Sequence, residues 1–181
     1  MKTSRNIVTI GLALFFMGCP ARSFYPFFTE KNLVFNPGLV GAWMDQDKKE
    51  TYFFQKAEGK DYDVIVCEEK GDTSYYRVQL GQIGKVWFLD SYPSEESTNF
   101  QLVPTHIISK IWFNGDTLTF ASLESDYVKN LIKSKNLKIA YTLQKEDIIL
   151  IASTEEVQQL VLQLVQDEKA FPNPTRLNRV K

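Results

Sequence analysis

The chain has 181 residues, 44% hydrophobic and 13% aromatic, with 21 basic against 22 acidic side chains. That length supports one domain with a sizeable core, and a net charge of −1 excludes the clustered basic footprint that nucleic acid requires. Two cysteines and one histidine cannot supply the usual nitrogen and sulfur ligands of a zinc site, so neither a metal nor a cofactor is expected.

Residues 1–18 read as an export signal. Lys2 and Arg5 precede an apolar run from Ile7 to Met17, and Gly18 places a small residue before Cys19. A membrane-crossing helix needs about 20 apolar residues; this run is shorter and meets Pro20. Phe16-Met17-Gly18-Cys19 resembles the lipobox of bacterial lipoproteins. The resemblance implies a thioether lipid on Cys19, cleavage before it, and acylation of the new amine, palmitate being the type of chain. It places the domain in the bacterial cell envelope, held to a membrane through Cys19. Each buried CH₂ contributes about 0.8 kcal/mol, so several chains anchor stably where one is marginal. Two other readings stand: secretion with a cut after Ala21, and an uncleaved anchor. Without residues 1–18 the chain loses two basic groups, leaving 19 against 22 acidic and a net charge of −3. With Cys19 lipidated, Cys67 has no partner for an internal disulfide. Its alternation with Ile65 points to a buried, inert thiol.

Residues 19–38 form an anchor and an aromatic-rich connector with Phe24, Tyr25, Phe27, Phe28 and Phe35. These rings suit a headgroup layer or the domain surface, and the apolar run Leu33–Phe35 favours packing. Asn36-Pro37-Gly38 marks a turn. A β-rich domain is then expected over 39–167. Period-two alternation predicts strands at Leu39–Met44, Thr51–Gln55, Tyr62–Cys67, Tyr75–Leu80 and Val86–Leu89, then Phe100–Val103. Asn114-Gly115 predicts a two-residue hairpin loop, setting Phe113 opposite Asp116 and Ile111 opposite Leu118. Ile111, Phe113, Leu118 and Phe120 then share the core face. A helix is predicted over Leu123–Lys133, with strands at Leu137–Thr142 and Ile148–Ala152. Ser153 and Glu156 form a capping box before a final helix through Val157, Leu160, Val161, Leu164 and Val165. Leu162 falls off that face and is expected to be covered by the tail, a contact surface being the alternative. Phe171-Pro172-Asn173-Pro174 is expected to end regular structure, making 168–181 a tail.

The chemistry-bearing residues mostly favour plain explanations. Asp45, Asp47 and Glu50 open like a calcium loop, but the sharp-turn glycine is missing and Lys56 occupies the twelfth position; a charged hairpin turn fits better. Gly81-Gln82-Ile83-Gly84 reads as a turn, and Glu95 and Glu96 as a solvated loop. No nucleophile elbow or phosphate-binding loop is present. His106, the lone histidine, reads as structural or surface, with a general-base role as the alternative. Trp43, Trp87 and Trp112 are weak ligand-binding candidates, Trp87 and Trp112 as exposed platforms. Catalytic residues: none assigned.

Gly41-Ala42-Trp43 before a run of strands, with a helix after the last, resembles the lipocalins, whose Gly-x-Trp begins the barrel. Some bacterial lipocalins are also lipoproteins. Two departures accompany the likeness: the helix predicted at 123–133 interrupts the strands, and no arginine stands out in the late strands to cover Trp43. Phe35–Trp43, Leu102–His106, Gly115–Leu118 and Ala152–Gln158 also resemble stretches of a family of small, uncharacterised bacterial lipoproteins, which implies a shared fold but no catalytic residues. The expected fold is α+β: an antiparallel β-meander or incomplete barrel of about eight to ten strands with two packed helices. The expected role is a non-enzymatic binding or assembly module with a protein partner. The alternatives are a lipocalin-like carrier of a small apolar ligand and a hydrolase with its site near His106.

Overall fold

Alternating side chains need two different surroundings, and here a barrel wall supplies them. The structure, a computed structural model, describes residues 19–94, 104–145 and 147–181. Strands β2 (Gly41–Asp45), β3 (Glu50–Lys56), β4 (Tyr62–Cys67), β5 (Thr73–Ile83), β6 (Val86–Pro93), β7 (His106–Asn114) and β8 (Thr117–Ser122) pair with their sequence neighbours, all antiparallel. Strand β11 (Thr175–Arg179) then pairs with both β8 and β2. Among the described residues this closes a barrel of 8 strands with no free edge in the wall. The barrel is therefore closed, where the sequence suggested an incomplete one.

The closing strand corrects the expectation of a tail at 168–181. Thr175-Arg176-Leu177-Asn178-Arg179 carries one apolar side chain, so no alternation shows. Only Leu177 must face the core, where it is fully buried and paired with Leu118. Leu162 is exposed and is not covered by the C-terminal segment; its Cδ2 lies beside Gly84.

The hairpin at Asn114 is also shifted. Its loop is Gly115-Asp116, with Asn114 opposite Thr117 and Phe113 opposite Leu118. Only the first loop residue takes positive φ, 58° at Gly115, as a type II′ turn requires. The slip changes each opposed pair by two positions; Ile111, Leu118 and Phe120 join the inner core as expected, but Phe113, at the end of the strand, is exposed and not core. Gly81 to Ile83 continue strand β5 instead of turning; only Gly84-Lys85 make the turn. The first predicted strand begins late because Pro37–Leu39 form a 3-10 turn. Phe100–Val103 and Glu95-Glu96 lie outside the described residues.

Two cores result. The inner one is lined by Trp43, Phe54, Tyr62, Val64, Leu80, Leu89, Ile111 and Leu118. The outer one lies between the wall of β6–β7 and a cover of helix α1 (Ser125–Lys133), helix α2 (Thr154–Leu164) and an N-terminal strap over residues 20–33. Strand β1 (Arg22–Ser23) extends the start of β7, then pairs in parallel with β10 (Asp147–Leu150), whose other neighbour is β9 (Tyr141–Gln144). The predicted strand at Leu137–Thr142 thus starts four residues later. Helix α2 begins with the expected capping box of Ser153 and Glu156. Near its end the Val165 carbonyl accepts from Lys110 Nζ at 3.0 Å, a cation at the negative end of the helix. The connector is folded, not free: Phe27, Phe28 and Leu33 are buried, while Phe24 and Tyr25 stay exposed.

Candidate functional site at the open end of the barrel

One end of the barrel is sealed. Leu39 of the 3-10 turn is fully buried, and its carbonyl accepts from Trp43 Nε1 at 2.8 Å. Arg179 lies opposite Trp43 in register, its guanidinium carbon 4.1 Å from the ring centroid. The same guanidinium donates to the carbonyls of Val40 and Gly38. Gly41 is required at this place: its φ is 133°, and a Cβ there would stand 2.7 Å from Arg179 Nη1. An arginine therefore does cover Trp43, against the expectation, and it was hidden because its strand was. Tyr62 completes the seal. Its hydroxyl accepts from Asn36 N at 2.6 Å and donates to Asn36 O at 3.1 Å, while its ring stacks on Phe35. Burial pushes the Tyr62 hydroxyl pKa upward.

The other end is lined but not filled. In the sealed half Trp43, Tyr62, Leu80, Leu118 and Leu177 are fully buried on the inner face, with Phe113 exposed at its very end. Toward the far end the same faces present Tyr52, Val66, Ser74, Tyr76, Ser91, Phe120 and Ser122, all half-buried. A cavity of about 410 Å³ opens there, lined by Asp45, Tyr52, Phe120 and Ser122 from the wall and by Pro20, Glu124 and Pro172–Thr175 from the rim. It exists because β11 first meets β8 at Phe120, two residues short of the β8 end. Tyr52 and Phe120 meet edge to face at 6.1 Å. The Tyr52 hydroxyl donates to Glu50 at 2.7 Å. Burial first, then that bond to a carboxylate, raises its pKa far above the ordinary phenol value. Asp45 caps the β2–β3 turn by accepting from the amides of Asp47 and Lys48, so these residues make a hairpin turn.

The three tryptophans are not equivalent. Trp43 is a buried part of the sealed end. Trp87 faces inward against the inner core and is no exposed platform. Trp112 is exposed on the outer wall with Lys110 Nζ 5.7 Å from its ring. Cys67 is half-buried at the end of β4, less enclosed than expected. His106 meets an acid that sequence did not single out: Asp90, fully buried, lies 2.9 Å from His106 Nδ1 and accepts from the Phe27 amide at 2.8 Å. The Tyr92 ring lies against His106 at 4.8 Å. Asp90 thereby joins wall, strap and histidine, which is a clip by geometry. A groove of about 730 Å³ on the outer wall takes in Tyr92, Tyr75, Arg77 and Asp63, without His106 in its lining.

Cys19 is exposed, and its carbonyl accepts from Ser125 N at 3.0 Å. Among the described residues no helix is long and apolar enough to cross a membrane. Neither a family model, nor a curated protein, nor a solved structure matches the chain.

Proposed function

We propose that this chain is a lipid-anchored envelope protein that binds one small apolar ligand in the open half of its barrel, a lipocalin-like carrier. The observation behind this reading is the graded interior: sealed and filled around Trp43, yet open around Tyr52 and Phe120. Ligand pockets of roughly 300–1,000 Å³ suit drug-sized molecules, so a cavity of about 410 Å³ suits one such molecule. Two ring faces supply apolar contact, and Asp45, Ser122, Lys48 and Arg176 supply polar groups at the rim. Gly41-Ala42-Trp43 under an arginine also agrees with the lipocalin resemblance. The anchor rests on the lipobox likeness, and Cys19→Ser tests it: the variant is expected to lose the lipid and the cut before residue 19, and a variant that stays in the membrane at the same processed mass overturns the anchor.

The binding reading is tested by titrating the protein with N-phenyl-1-naphthylamine, a neutral apolar fluorophore. Saturable enhancement at one site is expected in the wild type. Phe120→Asp, which puts a charge into the cavity wall, is expected to weaken binding at least tenfold, while Trp112→Ala, on the outer wall, leaves it unchanged. Equal binding by all three overturns the reading.

A further inference from the structure

We infer that the open end of the barrel is a membrane-facing surface, its rim held against the bilayer by the lipid on Cys19. The inference rests on the anchor reading above and adds an orientation to it. First, no spacer separates the anchor from the fold. Pro20 bridges to Glu124, the Ala21 amide donates to Leu123 O at 2.7 Å, and Ala21 is 1% exposed. A lipid on the Cys19 thiol therefore starts at the surface of the domain, without slack for the domain to turn over.

Second, the place where it starts is the rim. Pro20 forms part of the cavity wall with Asp45, Tyr52 and Phe120. The turns at 57–61, 84–85 and 115–116 lie at the sealed end with Trp43 and Arg179. The nine residues of β7 span roughly 20 Å along a barrel axis when tilted by about 40°, so the two ends stand well apart. Third, β1 pairs with the start of β7 at this same end, and just beyond it Phe24 and Tyr25 stand exposed as an edge-to-face pair at 5.2 Å. Exposed aromatic rings beside an anchor suit the headgroup layer. In this orientation a ligand passes between the bilayer interface and the cavity without crossing bulk water.

The test uses the processed, lipidated protein carrying Cys67→Ser, reconstituted in vesicles of phosphatidylethanolamine and phosphatidylglycerol with a fraction of headgroup-nitroxide lipid. One fluorophore goes on Lys70→Cys or Asp72→Cys, in the rim turn after β4; a second preparation carries it on Lys85→Cys, in the sealed-end turn before β6. All three positions are exposed. Rim labels are expected to be quenched at least threefold more than the sealed-end label. Equal quenching, or stronger quenching at Lys85, overturns the orientation and leaves the anchor standing. Failure of the protein to float with the vesicles overturns both.

Discussion

Arg179 joins three things that would otherwise drift apart: the first barrel strand, the last one, and the 3-10 turn that seals the end. A cation over an indole contributes about 0.5–2 kcal/mol, and charged hydrogen bonds to carbonyls about 1.5–3 each. Arg179→Ala is therefore expected to cost about 3 kcal/mol in chemical denaturation. Arg179→Lys should recover less than half, because a point charge cannot cover the ring and reach two carbonyls together. Equal stability of wild type and Arg179→Ala would remove the seal from the account. Tyr52 gives a second residue-scale prediction, in pH. Its folded pKa is raised, so the folded state holds this proton more tightly than the unfolded chain, whose phenols titrate near 10. That contribution is fully present below about pH 10 and is lost above it, where the unfolded chain releases the proton and the folded one does not. Stability is expected to fall as pH rises through this window, less steeply in Tyr52→Phe, as read by urea midpoints. Trp43 could be picked out from sequence because Gly41-Ala42-Trp43 is contiguous. Arg179 could not, because its partner lies 136 positions earlier, across a register that only the folded barrel defines.

The strap is the element that turns a barrel into this barrel. Its Leu33 bridges to Gly81, and its Phe28 fills the space above that glycine. A Cβ at Gly81 would stand 2.5 Å from Phe28 Cε1 and 2.8 Å from the Asn32 carbonyl. Gly81→Ala therefore has to push a ring or the strap backbone aside, at about 1–3 kcal/mol as for other overpacked cores. Faster amide exchange over residues 27–33 is expected, with the inner core unchanged. The Asp90 clip acts on the same strap. Removing the carboxylate in Asp90→Ala strips the Phe27 amide of its acceptor, whereas His106→Ala leaves that bond in place. Asp90→Ala is thus the more damaging variant, by about 1–3 kcal/mol for the orphaned donor; the reverse order would speak for a role of His106 beyond support. Sequence made the strap visible as a cluster of aromatics, and apolar continuity favoured packing correctly for Phe27 and Phe28. It misread Gly81 as a turn because a glycine that yields room to another segment and one that bends the chain look alike without the third dimension.

At the scale of the whole molecule, the wall is an ordered meander whose closure waits for the last strand. Residues 123–174 supply the two helices and β9–β10 before the chain returns as β11 between β8 and β2. The antiparallel class and most of the meander were legible, since short turns such as Glu58–Asp61 force neighbours in sequence to pair. Closure was not, because the evidence of alternation fails in a strand whose only inward apolar residue is Leu177. The consequence is a molecule with two vulnerable edges until β11 docks. A chain ending at Pro174 would expose the backbone donors and acceptors of β2 and β8 along with Trp43 and Leu118, and unpaired edges of this kind recruit other strands. Such a truncation is expected to aggregate. Leu177→Asp separates the hydrophobic contribution from the backbone one: it keeps the ladder but places an unpaired charge in the inner core opposite Leu118, where burial costs several kcal/mol. It is expected to show the same aggregation as the truncation by light scattering, while Arg176→Asp, whose side chain points outward, stays monomeric. If Leu177→Asp remained soluble with an intact barrel, backbone pairing alone would hold β11 in place, and the inner core would not be what closes the wall.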